Sequence, residues 1–262
     1  MELKIEERKN LAILAAQQAG EILINNFGKI SFVNSKEKRE LVCNVDLESE
    51  GKIVSLIKKD FPEDNILGEE GKYPSSLSDF RWIIDALDGT HNYIHLIKIF
   101  GVSIALEYQE EVIFGVIYMP VTGEFYVGEK GGGAFLNGKK IKVSTKKKLK
   151  EATLIFDSRL TFNKKLMLSS LDTLVDRVFN LRMFGSTARS LTYLAEGKVD
   201  LEIEFSDQVW DFAAGLLLVE EAGGLATDFE GNRWTTNTKG FVVSNGLLHK
   251  EVLDPLSSLL LT

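Results

Sequence analysis

The chain has 262 residues, 31 Lys+Arg against 38 Asp+Glu, and a formal net charge of −7. That balance argues against a sequence-independent nucleic-acid binder, which must neutralise phosphates with Lys and Arg. No apolar run approaches the roughly 18–20 residues of a membrane span, and the opening MELKIEERKN is too charged for a signal peptide. The single cysteine, Cys43, can form neither an internal disulfide nor a Cys-based zinc site, so a reducing, cytoplasmic setting is expected.

In chain order, Ile5, Leu11, Leu14, Ala15, Ala19, Ile22 and Leu23 recur at helical spacing, and Gly28 closes the run. A second helix is expected from Asp46, with Glu48 and Glu50 near its positive end, an apolar stripe Ile53, Val54, Leu56, Ile57 and Phe61, and a stop at Pro62. Strands follow. Arg81–Asp85 is a short apolar run ending in a carboxylate, and Val102–Glu107 with Val112–Met119 predicts an antiparallel hairpin. Glu124–Gly128 and Gly133–Leu136 continue the meander, with Asn137-Gly138 as a tight turn.

From Ala152 strands and helices alternate: ATLIFD, a helix near Lys164–Val175, RMFG, a helix at Ser186–Glu196, VDLEIEF, a helix from Trp210, LATD, GFVVSN and a C-terminal helix. The reading is α/β, with an α+β first half. The Lys-rich tract Lys146–Lys150 is the expected seam between an N-terminal part, 1–150, of helices plus antiparallel sheet, and a C-terminal α/β part, 151–262.

Chemistry concentrates in WIIDALDGTHNY, Trp82–Tyr93. Asp85 and Asp88 stand three residues apart where an apolar strand ends, and Gly89-Thr90 follows at once. Gly89 would let the backbone approach an anion closely, with the Gly89 and Thr90 amides cradling a phosphate. An Asp-Gly turn is the plain alternative. Glu69-Glu70 follows the run Asn65–Leu67, and Asp211 opens WDFAAG, where a helix cap is the plain alternative. Were Glu69, Asp85, Asp88 and Asp211 to converge, each pair about 4 Å apart would cost roughly 4 kcal/mol at an effective dielectric near 20. Six such pairs exceed the roughly 5–15 kcal/mol that stabilises a domain. Convergence therefore requires cations, and oxygen-only donors favour Mg²⁺ over Zn²⁺.

IIDALDGTHNY, LGEEG and WDFAAG, in this order, resemble the three signatures of the inositol monophosphatase family of Mg²⁺-dependent, lithium-sensitive phosphatases, and ELVCNVD and FGSTARSLTYLAEGKVD resemble two further elements. The similarity runs from about residue 10 to 250. The resemblance implies a layered αβαβα sandwich, commonly a homodimer, with two to three Mg²⁺ per active site and Mn²⁺ as a substitute. Glu69, Asp85 and the Leu87 carbonyl would hold the first metal, Asp85, Asp88 and Asp211 the second, and Glu69 with waters a third. Thr90 would position the attacking water, supported by Asp46 and Glu70. Gly89 and Thr90 would hold the phosphate, and Gly185, Ser186, Thr187 and Glu204 would meet the rest of the substrate. The implied activity is hydrolysis of a small sugar or polyol phosphate, inositol monophosphate first. Fructose 1,6-bisphosphate comes second and a 3′-phosphoadenosine 5′-phosphate-type nucleotide third.

The sequence departs from the family pattern in three places. Ala86-Leu87 replaces Pro-Ile or Pro-Leu, Cys43 and Asn44 replace the usual Thr and Lys, and Tyr93–Lys98 replaces the usual F-x-H-G-x-P. Two other readings compete. A haloacid-dehalogenase-type phosphatase would need an Asp where Ala86 stands, and a non-catalytic metal or sugar-phosphate-binding module would use the same pocket without turnover. Lys36, Lys38 and Arg39 are candidates for a loop meeting an anionic substrate, against a solvated loop. Trp82 and Trp210 read as core anchors, His95 as a surface or packed histidine, and Gly131–Gly133 as a turn.

Overall fold

The computed structural model describes residues 4–35 and 41–260, so Lys36, Lys38 and Arg39 lie outside the described residues. The elements are α1 (Ile5–Asn26), β1 (Val33–Ser35), β2 (Leu41–Cys43), α2 (Asn44–Asp60), β3 (Asn65–Gly68), β4 (Phe80–Asp88), α3 (Thr90–Ile94), β5 (Gly101–Tyr108), β6 (Glu111–Met119), β7 (Glu124–Glu129), β8 (Gly133–Leu136) and β9 (Lys139–Lys140). A 3₁₀ turn at Leu149–Glu151 leads to β10 (Thr153–Phe156), α4 (Lys164–Val175), β11 (Asn180–Arg182), α5 (Thr187–Ala195), β12 (Leu201–Glu204), α6 (Val209–Glu221), β13 (Leu225–Thr227), β14 (Phe241–Ser244) and α7 (His249–Leu260).

A seven-stranded sheet runs in sequence order from β3 to β9, and a five-stranded sheet has the order β11-β10-β12-β14-β13. In the first, only β3 and β4 pair in parallel. In the second, β10 is parallel to both neighbours and β14 antiparallel to both of its own. Helices α1 and α2 cover one face of the larger sheet, α5 and α6 fill the space between the sheets, and α7, with α4 beside it, packs on the far side of the smaller one. The result is the αβαβα sandwich.

Strand alternation builds the layers. Trp82 and Ile84 face the α1–α2 core, while Ile83 between them faces α5 and α6. Burial on both sides is why β4 reads as an unbroken apolar run. In the smaller sheet Ile155 points inward, and Leu154 and Phe156 point to the outer core with Leu201, Ile203 and Val242. The middle layer explains α6: Phe212 to Val219 are all buried, so this helix is apolar around its whole circumference rather than striped.

One strand lies elsewhere than predicted. RMFG was expected as a strand, yet β11 ends at Arg182 and residues 183–186 form the approach to α5. The cause is pairing. Leu181 and Arg182 lie opposite Leu154 and Ile155 on β10, whereas the Phe184 and Gly185 carbonyls accept hydrogen bonds from the Asn92 side chain.

Candidate active site

The site begins where β4 stops being regular. Asp85 lies opposite Ser103 and Asp88 opposite Gly101, so three residue steps on β4 face two on β5. The extra residue makes a bulge that re-aims the strand end. Within it Asp85 Oδ1 accepts from the Leu87 amide at 3.0 Å. Gly89 then takes φ +84°, and a Cβ there would lie 2.9 Å from the Ile99 carbonyl oxygen. Only glycine fits both requirements.

Asp88 reaches the other half of the molecule. Its carboxylate accepts from the Ser186 hydroxyl and from the amides of Thr187, at 3.0 Å, and Ala188, at 3.3 Å. It thereby joins the end of β4 to the first turn of α5, where a negative charge is favoured. Asn92 makes the second tie: its side-chain amide lies 2.8 Å from the Phe184 carbonyl and 3.2 Å from that of Gly185. Gly185, Ser186 and Thr187 are therefore fixed beside Asp88.

The start of α2 closes a third side. Asp46 is buried; its Oδ2 accepts from the Cys43 amide at 2.8 Å and the Cys43 thiol at 2.7 Å, and its Oδ1 accepts from the Thr90 hydroxyl at 3.0 Å. That hydroxyl also lies 3.0 Å from the Leu87 carbonyl oxygen, and with one proton it shares itself between the two. Cys43 takes over the capping role of the threonine usual at this position. Burial, then the Asp46 contact, pushes its thiol up to about 12, so it stays protonated and is no nucleophile. Asn44 accepts from the Ser31 amide at 2.9 Å. Burial also raises the Asp46 carboxyl above its ordinary range.

Glu69 and Glu70 follow β3 on a loop held from behind. The buried carboxylate of Glu50 accepts from the Glu70 amide at 2.9 Å, the Gly71 amide at 2.7 Å and the Tyr73 hydroxyl at 2.7 Å. Gly68 makes room for it, since a Cβ there would lie 2.7 Å from that carboxylate.

The acids sense one another. Asp85 is raised well above the ordinary carboxylate range by burial and then by repulsion from Glu69, Asp88 and Asp211. Burial, then Asp207 and Glu69, raises Asp211, whose Oδ2 accepts from the Gln208 amide at 2.8 Å at the head of α6. Asp88 is pushed up to about 7 by burial, against the lowering effect of its Ser186 and α5 hydrogen bonds. The four predicted acids thus share one electrostatic neighbourhood. Each of the three aspartates is turned onto a backbone amide, and among the described residues no group of three or more His, Cys, Asp or Glu stands arranged around an ion position. What fits a metal is the donor chemistry: oxygen donors alone, crowded negative charge, and burial that makes that charge costly without a cation.

Glu204, on β12, faces a second acidic group that the sequence reading did not single out. Burial, then Asp207, Asp157 and Glu202, raises its carboxyl, while Arg159 opposes them. Asp207 bonds the Arg159 guanidinium and accepts from the Thr187 hydroxyl at 2.8 Å. Arg159 Nη2 also reaches the Ser206 carbonyl at 2.9 Å, and Asp157 Oδ1 accepts from the Arg159 amide at 2.6 Å. Glu202 is fully buried, its carboxylate oxygens make no hydrogen bond of good geometry, and the Ser190 hydroxyl only partly offsets the burial. Asp157 ends the strand ATLIF as Asp85 ends RWII, so the same signal was present in the sequence. Glu50, Asn92 and Asp207 carried no such signal: they work through contacts 20 or more residues away.

A family model described as the inositol monophosphatase family matches residues 4–260.

The chain belongs to the inositol monophosphatase family.

The fructose-1,6-bisphosphatase/inositol-1-monophosphatase of Thermotoga maritima is 36% identical over 248 residues, covering 94% of each chain. The Nus factor SuhB of Pseudomonas aeruginosa is 36% identical over 256 residues, again covering 94% of each. Among solved structures, the Thermotoga maritima IMPase superposes with a TM-score of 0.89 at 34% identity, covering 97% of this chain and 98% of that one. These two relatives, one named as a phosphatase and one as a Nus factor, are equally identical to this chain, so membership establishes a phosphatase family and the fold.

Proposed function

We propose that this chain is a Mg²⁺-dependent phosphomonoesterase acting on a small sugar or polyol phosphate, with inositol monophosphate as first substrate and fructose 1,6-bisphosphate as second. The observation that carries the reading is the mutual repulsion of four separated acids, Glu69, Asp85, Asp88 and Asp211, around the bulged end of β4. Glu69, Asp85, Asp88, Asp211 and the Leu87 carbonyl would hold two to three Mg²⁺, with Mn²⁺ as a substitute. Magnesium, when bound, supplies positive charge to the phosphate oxygens and acidifies water.

The chain's own residues do the rest. The Thr90 hydroxyl, shared between Asp46 and the Leu87 carbonyl, orients the attacking water, with Asp46 and Glu70 supporting it. The Gly89 and Thr90 amides hold the phosphate. Gly185, Ser186 and Thr187 line the substrate pocket, and Glu204 meets a substrate hydroxyl. The N-terminal part, 1–150, brings most of the metal ligands, and the C-terminal part, 151–262, brings Asp211 and the substrate contacts. We place the protein in the cytoplasm as a homodimer.

Purified protein with Mg²⁺ and a panel of inositol monophosphate, fructose 1,6-bisphosphate and 3′-phosphoadenosine 5′-phosphate tests this. Phosphate release from the first two, lost on chelation, is expected; release from none sinks it. The relative named as a Nus factor favours a second reading, in which the same pocket serves binding without turnover. Calorimetric binding of these esters with no hydrolysis would select it.

A further inference from the structure

The protein has three histidines, His91, His95 and His249. His249 is buried, with its ring nitrogens 2.9 and 3.0 Å from the hydroxyls of Thr227 and Ser244. The other two are exposed and stand four residues apart around α3, immediately after Thr90. Their rings are stacked, with centroids 4.2 Å apart and planes 21° from parallel.

Near-parallel rings do not aim their in-plane lone pairs at one point, but spacing of i and i+4 lets the two imidazoles reach a single ion once His91 turns out of the stack. A second, independent contact orients the His95 ring. His95 Nδ1 lies 2.8 Å from the His91 carbonyl oxygen. A carbonyl only accepts, so in the neutral ring Nδ1 carries the proton and the lone pair sits on Nε2. A metal-ligating imidazole has this form: one nitrogen offered to the ion, the other N–H anchored on a backbone carbonyl.

We propose that His91 and His95 form a two-nitrogen clamp for a borderline divalent transition metal, Zn²⁺ foremost, immediately after Thr90 of the candidate site. The clamp differs from the acid site in its chemistry, since imidazole nitrogen selects Zn²⁺, Ni²⁺ and Cu²⁺ where carboxylates select Mg²⁺. Two protein donors leave the remaining tetrahedral positions to water, so the bound ion is exchangeable. The inference stands on α3 alone and does not depend on the phosphatase reading.

The test uses the full untagged chain on a resin bearing Ni²⁺ held by iminodiacetate, because a tethered ion cannot enter the buried acid site. The wild-type chain is retained and elutes with imidazole, while His91→Ala and His95→Ala each pass through earlier. In solution, calorimetric titration of Zn²⁺ in excess Mg²⁺ shows one site whose affinity falls at least about tenfold in either variant, as the chelate advantage is lost. Both side chains are exposed, so the thermal midpoints of the variants match wild type. Failure of the wild-type chain to bind the resin, or equal retention and equal Zn²⁺ affinity in either single variant, overturns the clamp.

Discussion

The two ends of β4 bury charge in opposite ways. At its start, Arg8 sends Nε and Nη2 to Asp64 at 2.7 and 2.8 Å, and Trp82 Nε1 and the Ser78 hydroxyl donate to the same carboxylate at 2.9 and 3.2 Å. The guanidinium lies 4.1 and 3.8 Å from the ring centres of Phe61 and Phe80. Every charge there has a counter-charge, and the cluster pins α1 to the sheet. At the other end Glu69, Asp88 and Asp211 all repel Asp85, which no basic side chain offsets, while Arg159 only partly offsets the charge of Asp211. One strand thus carries a compensated cluster, which is structural, and a largely uncompensated one, which is where the proposed metal site lies. The difference separates scaffold from candidate site more sharply than burial does, since Asp64 and Asp85 are both buried.

Four experiments break or sharpen that contrast. Asp88→Asn should abolish turnover, by about a thousandfold or more given the several kcal/mol a metal contributes at about 1.4 kcal/mol per tenfold. The fold should persist, because Asn can still accept from the α5 amides. Steady-state phosphate release beside a circular dichroism spectrum checks both, and unchanged turnover removes the metal assignment. Arg8→Met should do the reverse. It strands Asp64 as a buried unpaired charge and costs about 3–5 kcal/mol in urea unfolding, with turnover per folded molecule unchanged.

Glu202→Gln tests the acids behind Glu204. Burial, then Asp207, raises the folded-state pKa of Glu202 well above its unfolded value. Its stabilising protonated form is therefore present at low pH and lost as pH rises through the folded pKa. The variant should match wild type near pH 4 and become relatively more stable as pH rises, by about 1.4 kcal/mol per pH unit until the wild-type carboxyl ionises. Thermal melts across pH measure it, and a pH-independent difference would show Glu202 to be compensated. The smallest effect is expected from Glu50→Gln, which turns an amide NH₂ toward donors that Glu50 now satisfies. Loosening the Glu69–Glu70 loop should slow turnover roughly tenfold, about 1–2 kcal/mol, with hydrogen exchange at the Glu70 and Gly71 amides as the direct readout.

Most of the elements were legible because each has a strong local pattern. The helix Lys164–Val175 lies where the sequence puts it, and the hairpin of β5 and β6 turns through Gln109 and Glu110, both with positive φ. The strands β1 and β2 were not foreseen, being three residues each and sustained by pairing with one another. Trp82 is the core anchor expected, with its indole bonded to Asp64. Trp210 is only partly buried, against the middle-layer core. Of the candidate site, the acids at strand and helix ends could be read directly, since Asp85, Asp88 and Asp211 sit where local propensity and charge already stand out. Arg159, Asp207, Glu50 and Asn92 could not be, because their roles arise from partners on other elements.

The sequence by itself determined most of the secondary elements and which carboxylates sit at element ends, because periodicity, glycine placement and charge are properties of neighbours along the chain. Its motifs also carried the family. Only the tertiary structure decided that Asp88 is tied to α5, that Glu50 braces the Glu69 loop, and that Asp64 is neutralised while Asp85 is not. Those outcomes depend on which charges folding brings within a few ångströms of each other, and electrostatic energy depends on that distance rather than on separation in sequence.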